Sequence, residues 1–401
     1  MFFRARLDIL LRKPYDSQAM RLSILLFCFL PSLLCGQNAY LSQGIFAYEQ
    51  SDYPEAIRTL SSLIESNTSL SEGELPQAHF YLAQAYWQAA RDQKFKEDYP
   101  QALLRAYNHL VAAQRLDRST RYTQACNTTI TLLLPALYEA GTEAYNRKDY
   151  ALASRYFDRS YQLQPESYES LMARAYAQWQ MQDSVSALNS WQKVVENPPI
   201  KLLPEQADEF AHAYAMIVHT RSAWGQFTQA RDILHQAFTE YPNNPSLIEA
   251  ELDIYLSHSN LQENGERHFQ EQIRKNPTNL DWKRAYARYL FYTDNKEKAI
   301  QQFENIQRLE PDHEMANRFL AAHYVSQARM MLDQLSNSTG DERSAQQEKI
   351  LEALLESLPY LSKLHEEDPD RIEWLEHLIA VSEYLDLAKA KLYRKELRKL
   401  R

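Results

Sequence analysis

The sequence predicts an all-α chain: a solenoid of about eight to nine stacked helix pairs, closed by a C-terminal capping helix. Three observations predict it. Pro165, Pro199, Pro242, Pro277 and Pro311 are separated by 34, 43, 35 and 34 residues, a period that marks stacked supersecondary units. Only 7 glycines occur in 401 residues, which disfavours strands and tight turns and suits long helices. Small residues fall near the middle of each apolar-periodic segment, where two backbones would cross, and large ones surround them.

The chain opens with a targeting pattern. Residues 22–34 are a 13-residue apolar run behind Arg21, too short to span a bilayer at roughly 20 residues and of secretory h-region length. Residues 1–36 are therefore expected to be an N-terminal extension and signal peptide, with translation starting at Met20 and the mature chain near Gln37. Cys35 also fits a second expectation, a lipid-modified cysteine, although Leu34 before it is larger than such signals favour. Removing the signal leaves Cys126 without a disulfide partner. No His or Lys adjoins it, so it is expected to be a buried small hydrophobe.

The units then follow in order. Residues 37–117 are expected to hold two hairpins. Gly44 and Ala56 sit at the first crossing, and Asp52 is expected to cap the second helix. Pro54 stands in that helix's first turn, and Glu55 is expected to complete a capping box. Asp98-Tyr99-Pro100-Gln101-Ala102 repeats that turn after an insertion at 91–97. Residues 118–131, rich in Thr, are expected to be a connector.

Residues 132–313 are expected to hold five more units. The reference hairpin is 134–165, with Ala140, Gly141 and Ala153 at its crossing and Leu137, Tyr156 and Phe157 around it. Units at 168–199, 211–242, 245–277 and 280–311 follow, with an extra connector at 200–208. Residues 314–401 are expected to be divergent: a helix to Leu335, a polar break at 336–341, a long helix from Ser344 to Glu366, and a final pair. The last helix is basic from Lys389, which suits the negative end of its dipole.

A 34-residue period with helix–turn–helix patterning and Ala or Gly at each crossing resembles the tetratricopeptide repeat family. The closing stretch is similar to the last units of secreted and cell-envelope bacterial members. The resemblance implies a right-handed superhelix whose first helices line a concave groove. By register, the inward row reads Tyr48, Trp87, Tyr145 and Trp179, then Ser222 and Phe291; Tyr176, Gln84, Gln88, Asn146 and Gln180 lie beside it. Two readings stand for these aromatics: core packing against the next helix, or stacking on a ligand. The candidate partner-binding set is Tyr48, Trp87, Tyr145, Tyr176 and Trp179. Members that clamp a chaperone's C-terminal carboxylate use Lys and Asn inward; Ile45, Gln84, Thr142 and Tyr176 stand at those places, so that activity is not implied.

Net charge is −9, from 44 Lys+Arg against 53 Asp+Glu, which argues against nucleic-acid binding. There is no phosphate loop, His-Glu-x-x-His, Cys-x-x-Cys or Gly-x-Ser-x-Gly in the chain, so no catalytic residue, cofactor or metal is expected. His212 and His219 share a helical face but lack an evident third ligand. The expected function is a non-catalytic scaffold of the cell envelope or secretory space, holding a protein or peptide segment in the groove. Two alternatives stand beside it. One is an envelope-anchored lipoprotein that helps assemble outer-membrane proteins, touching the membrane only if Cys35 is lipidated. The other is a glycan binder using the groove aromatics.

Overall fold

The computed structural model describes residues 39–66, 70–199, 203–335 and 339–400. The expected signal region, with Cys28 and Cys35, lies outside them. Among the described residues there are eighteen helices and no strand. None of these helices is long and apolar enough to cross a membrane. The chain divides into two compact units, residues 1–206 and 207–401.

The first unit holds α1 (Ala39–Glu49), α2 (Tyr53–Glu65), α3 (Glu74–Arg91), α4 (Ala102–Leu116), α5 (Thr123–Asn146), α6 (Tyr150–Leu163), α7 (Tyr168–Gln180) and α8 (Ser184–Glu196). Helix α9 (Pro204–Ala223) begins at the boundary, and α10 (Phe227–Glu240), α11 (Pro245–Ser257), α12 (Ser259–Lys275), α13 (Leu280–Tyr292) and α14 (Lys296–Leu309) follow. The second unit ends with α15 (Glu314–Leu335), α16 (Gly340–Glu367), α17 (Ile372–Tyr384) and α18 (Lys389–Leu400).

One turn is used repeatedly. Ser51, Lys148, Gln182, Gly225, Asp294 and Asp386 all have φ between 52° and 74°. Each ends a helix with a pair of backbone bonds. The Lys148 N–H donates to the Tyr145 carbonyl at 2.9 Å and the Asp149 N–H to the Ala144 carbonyl at 2.9 Å. The same pairs close the turns at Ser51, Gln182, Gly225, Asp294 and Asp386. This is the Schellman closure, which satisfies carbonyls a helix end leaves open. In three of these turns the next residue is an Asp whose carboxylate accepts a backbone N–H of the following helix: Asp52 from Glu55 at 3.2 Å, Asp149 from Leu152 at 3.1 Å, and Asp183 from Ser186 at 3.1 Å. One residue ends a helix and the next starts another, so the two must turn back on each other.

Packing then needs small residues. Ala56, Ala78, Ala106, Ala153, Ala187, Ala230 and Ala299 are fully buried. A Cβ on Gly141 would stand 2.7 Å from the Phe157 ring, and one on Gly44 would stand 2.6 Å from Leu60. Both helices of each hairpin therefore approach to a distance that their neighbours' large side chains define. The core of the first unit runs from Leu41 to Ala177 and includes Leu137, Tyr156 and Phe157. The second unit packs around Phe269, Trp282 and Phe303, and around Ile350, Leu361 and Leu378.

Three local expectations are corrected. Glu55 does not complete a capping box: its carboxylate holds Arg58 at 2.5 Å and Thr59 at 3.0 Å, while the Asp52 N–H is already used on Ala47. Asp98 caps no helix. The Asp92 carboxylate closes a separate turn with the Lys94 N–H at 2.9 Å, backbone bonds continue that turn through Tyr99, and α4 starts only after Gln101. The 118–131 stretch is helix from Thr123 onward. Thr128, Thr129 and Thr131 return their hydroxyls to carbonyls four residues back, Cys126 and Thr129 are buried, and Pro135 lies inside the helix.

Three substitutions test this construction by urea denaturation. Gly141→Ala should lower stability by about 1–3 kcal/mol through its clash with Phe157, outweighing the roughly 1 kcal/mol by which Ala is the better helix former. Lys148→Gly should raise stability by up to about 1 kcal/mol by relieving a left-handed residue. At Gly225, where an added Cβ meets nothing within 4 Å, Gly225→Ala should cost about 1 kcal/mol from φ alone.

Candidate functional site

The left-handed turn fixes where the aromatic row lies. Tyr48, Tyr145, Trp179, Ser222 and Phe291 each stand three residues before a left-handed residue, and each gives its carbonyl to that residue's N–H. They are one structural position repeated through the array. Trp87 lies outside this series, because α3 ends at Arg91 and passes into the 92–101 turn.

Each row residue also reaches a neighbour. The Tyr48 ring meets Tyr53 across its own turn at 6.2 Å and Tyr81 of α3 at 5.7 Å. Tyr145 meets Tyr150 at 5.1 Å and hydrogen-bonds with Gln180 at the end of α7. Between them, the Gln84 amide of α3 donates to the Thr129 hydroxyl of α5 at 2.6 Å. The first helices α1, α3, α5 and α7 are thus stitched in sequence by one aromatic or amide pair per step. Trp179 and Tyr176 share Trp191 of α8, at 5.6 and 6.2 Å.

Exposure separates the five candidates. Tyr48, Tyr145 and Trp179 are half-buried, so each presents part of a ring. Trp87 and Tyr176 are 7% and 6% exposed, and the Arg91 guanidinium covers the Trp87 ring at 5.1 Å. Gln180 and Asn146 are exposed beside the row, and Gln84 and Gln88 are half-buried.

The second unit repeats the stitching with charge. His219 of α9 faces Asp253 of α11 at 3.6 Å, and Arg288 of α13 pairs with Glu249 of α11. Phe291 of α13 then stacks edge-on to Phe319 of α15 at 4.6 Å. Asp253 and Glu249 are one helical turn apart on α11; their register with His219 and Arg288 was readable, but their role as partners was not singled out.

A tetratricopeptide repeat family model matches residues 41–117 and 138–199. These two stretches are tetratricopeptide repeats. Both matched stretches fall in the first unit, and the turns at Gly225, Asp294 and Asp386 carry the same closure into the second.

The chain is 25% identical over 175 residues to "Interferon-induced protein with tetratricopeptide repeats 2" of Cricetulus griseus, a match covering 44% of this chain and 36% of that protein. Among solved structures, it is similar to a tetratricopeptide repeat protein from Parabacteroides merdae ATCC 43184, at 13% identity and a TM-score of 0.31, over 70% of this chain and 95% of that one. It is also similar to Naa15/Naa10 bound to HypK-THB, at 13% identity and a TM-score of 0.34, over 90% and 63%. The human IFIT1 dimer with PPP-AAAA aligns at 12% identity and a TM-score of 0.33, over 89% of each chain. Likenesses of this size say nothing about what the chain binds.

No cluster of three or more His, Cys, Asp or Glu able to hold a metal occurs among the described residues. Cys126 is a free, buried thiol whose pKa burial pushes up to about 11, so it is protonated at neutral pH. Burial likewise pushes the Tyr145 phenol up to about 12, leaving it neutral. Asp253 raises the His219 pKa through their hydrogen bond.

Another titrating pair that sequence reasoning overlooked joins α3 to α4. His79 Nδ1 and His109 Nδ1 stand 2.9 Å apart, and Tyr86 stacks on His109 at 5.8 Å. The 30-residue separation, close to one repeat, was the available signal. Burial, then His79 and Arg105, depress His109 to about 4, and burial lowers His79.

The folded chain thus resists a proton that the unfolded chain takes up near pH 6.5, so this pair withdraws stability as pH falls. Compared with His109→Gln, the parent should hold level above pH 7 and lose on the order of 1–3 kcal/mol as pH falls from about 6.5 toward about 4. Urea midpoints at matched pH check it; parallel profiles would contradict the assignment.

Proposed function

We propose that the chain is a non-catalytic scaffold that binds an extended peptide segment of a protein partner along the first-helix face of the first unit. Tetratricopeptide repeats serve as protein-interaction scaffolds, and that much follows from the family. The observation that carries the finer reading is the recurrence of a half-buried aromatic at one turn position, in Tyr48, Tyr145 and Trp179, with exposed or half-exposed amides alongside. Rigid rings held by neighbours offer a face without losing rotamer freedom on binding. Amides such as Gln180 and Asn146 offer donors and acceptors to a peptide backbone. Core packing and ligand contact are compatible at these positions, because each residue packs against a neighbour yet is only half-buried.

An exported, cell-envelope location belongs to the same proposal and rests on the apolar run at 22–34. The role of Cys35 as a cleavage-site residue or a lipid anchor is decided by mass spectrometry of the mature N-terminus.

Position-specific photocrosslinking tests the binding face. A benzophenone side chain at Gln180 or Asn146 should capture a discrete partner, whereas one at exposed Arg155 on α6 should not. Tyr145→Leu combined with Trp179→Leu should weaken capture tenfold or more while far-ultraviolet circular dichroism stays unchanged. Equal capture from both faces, or undiminished capture by the double variant, would contradict the assignment.

A further inference from the structure

The α15–α16 hairpin leaves one face of α16 bare. Ile350, Ala353, Leu354, Ser357, Leu361 and Leu364 are buried on its inner side. On the other side Leu351 and Leu355 are 41% and 53% exposed, one turn apart and therefore one above the other. Glu348, Glu352 and Glu356 line the same shallow depression, with Lys349 as its only cation. Two solvent-facing leucines one turn apart inside an acidic rim offer a partner helix a short apolar strip flanked by negative charge.

The same unit carries the complementary surface. On α18, Leu392 is 60% exposed, and Lys395 and Lys399 lie three and seven residues beyond it, on the same helical face. Both lysines are exposed. Within one chain the two surfaces cannot meet. Tyr393 of α18 packs edge-on against His365 at 5.8 Å, and Glu396 pairs with His365 at 3.2 Å. That anchors α18 at the C-terminal end of α16, about 15 Å along the helix from Leu355.

We propose that a second copy of this chain seats its basic α18 against the acid-rimmed leucines of α16. The contact is head-to-tail, since the two surfaces differ, so it propagates into a ring or an open assembly. A symmetric α16-to-α16 contact is disfavoured, because it would bring three glutamates from each copy together with one lysine apiece. The charge pairing at the rim makes the association salt-sensitive.

Sedimentation velocity on the full chain, with circular dichroism to confirm helicity, tests this. The parent should associate with rising concentration at low salt and dissociate at high salt. Glu348→Lys with Glu352→Lys should weaken association tenfold or more, and so should Lys395→Glu with Lys399→Glu. Mixing these two variants should restore it, because each then meets an opposite charge. Loss with the α16 variant alone would mean a symmetric contact and overturn the proposal. A chain that stays monomeric while its α18 lysines drive binding to phosphatidylserine vesicles would overturn it in favour of a membrane surface. Association indifferent to both pairs would overturn it as well.

Discussion

Six of the hairpins depend on one left-handed residue between two helices. At Lys148, Gln182 and their equivalents, a single residue with positive φ closes the outgoing helix, and at Asp149 and Asp183 the next side chain opens the incoming one. With so little chain between them, the helices must lie antiparallel and in contact, and only a small residue tolerates the crossing. Gly141, where an added Cβ would stand 2.7 Å from the Phe157 ring, is one such crossing. The turn also places the aromatic row, and at Tyr48, Tyr145 and Phe291 the residue three positions before it reaches the next first helix.

Much of this was legible in the sequence. A proline period near 34 places the units, and Asp52, Asp149 and Asp183 announce helix starts because a short acidic side chain in that place caps backbone N–H groups. What misled was local resemblance without local context. Asp98-Tyr99-Pro100 copies the first turn letter for letter, yet the insertion before it lets Asp92 and Phe95 organise a different turn. The Thr-rich stretch before Leu132 looks like a loop by composition, but burial of Cys126 and Thr129 and the absence of a breaker until Pro135 carry helix through it.

The candidate face was readable as a register and unreadable as an energy. Alignment of repeats placed Tyr48, Tyr145 and Trp179 in equivalent positions. It could not tell a ring left half-open, as those three are, from one covered like Trp87 beneath Arg91. Cross-repeat partners were equally hidden: Gln84 with Thr129, and His219 with Asp253, join residues in different helices whose facing depends on the stacking itself. The two units differ in the chemistry of this stitching, aromatic and amide in one, charged in the other. The neutral, aromatic series is the better surface for an extended peptide, whose backbone carries dipoles but no net charge.

Hydrogen–deuterium exchange of the chain with and without its captured partner tests this account most directly. Binding along the first-helix face predicts added protection in α1, α3, α5 and α7, strongest at their C-terminal turns, with α2, α4, α6 and α8 unchanged. Protection confined to the second helices would contradict it.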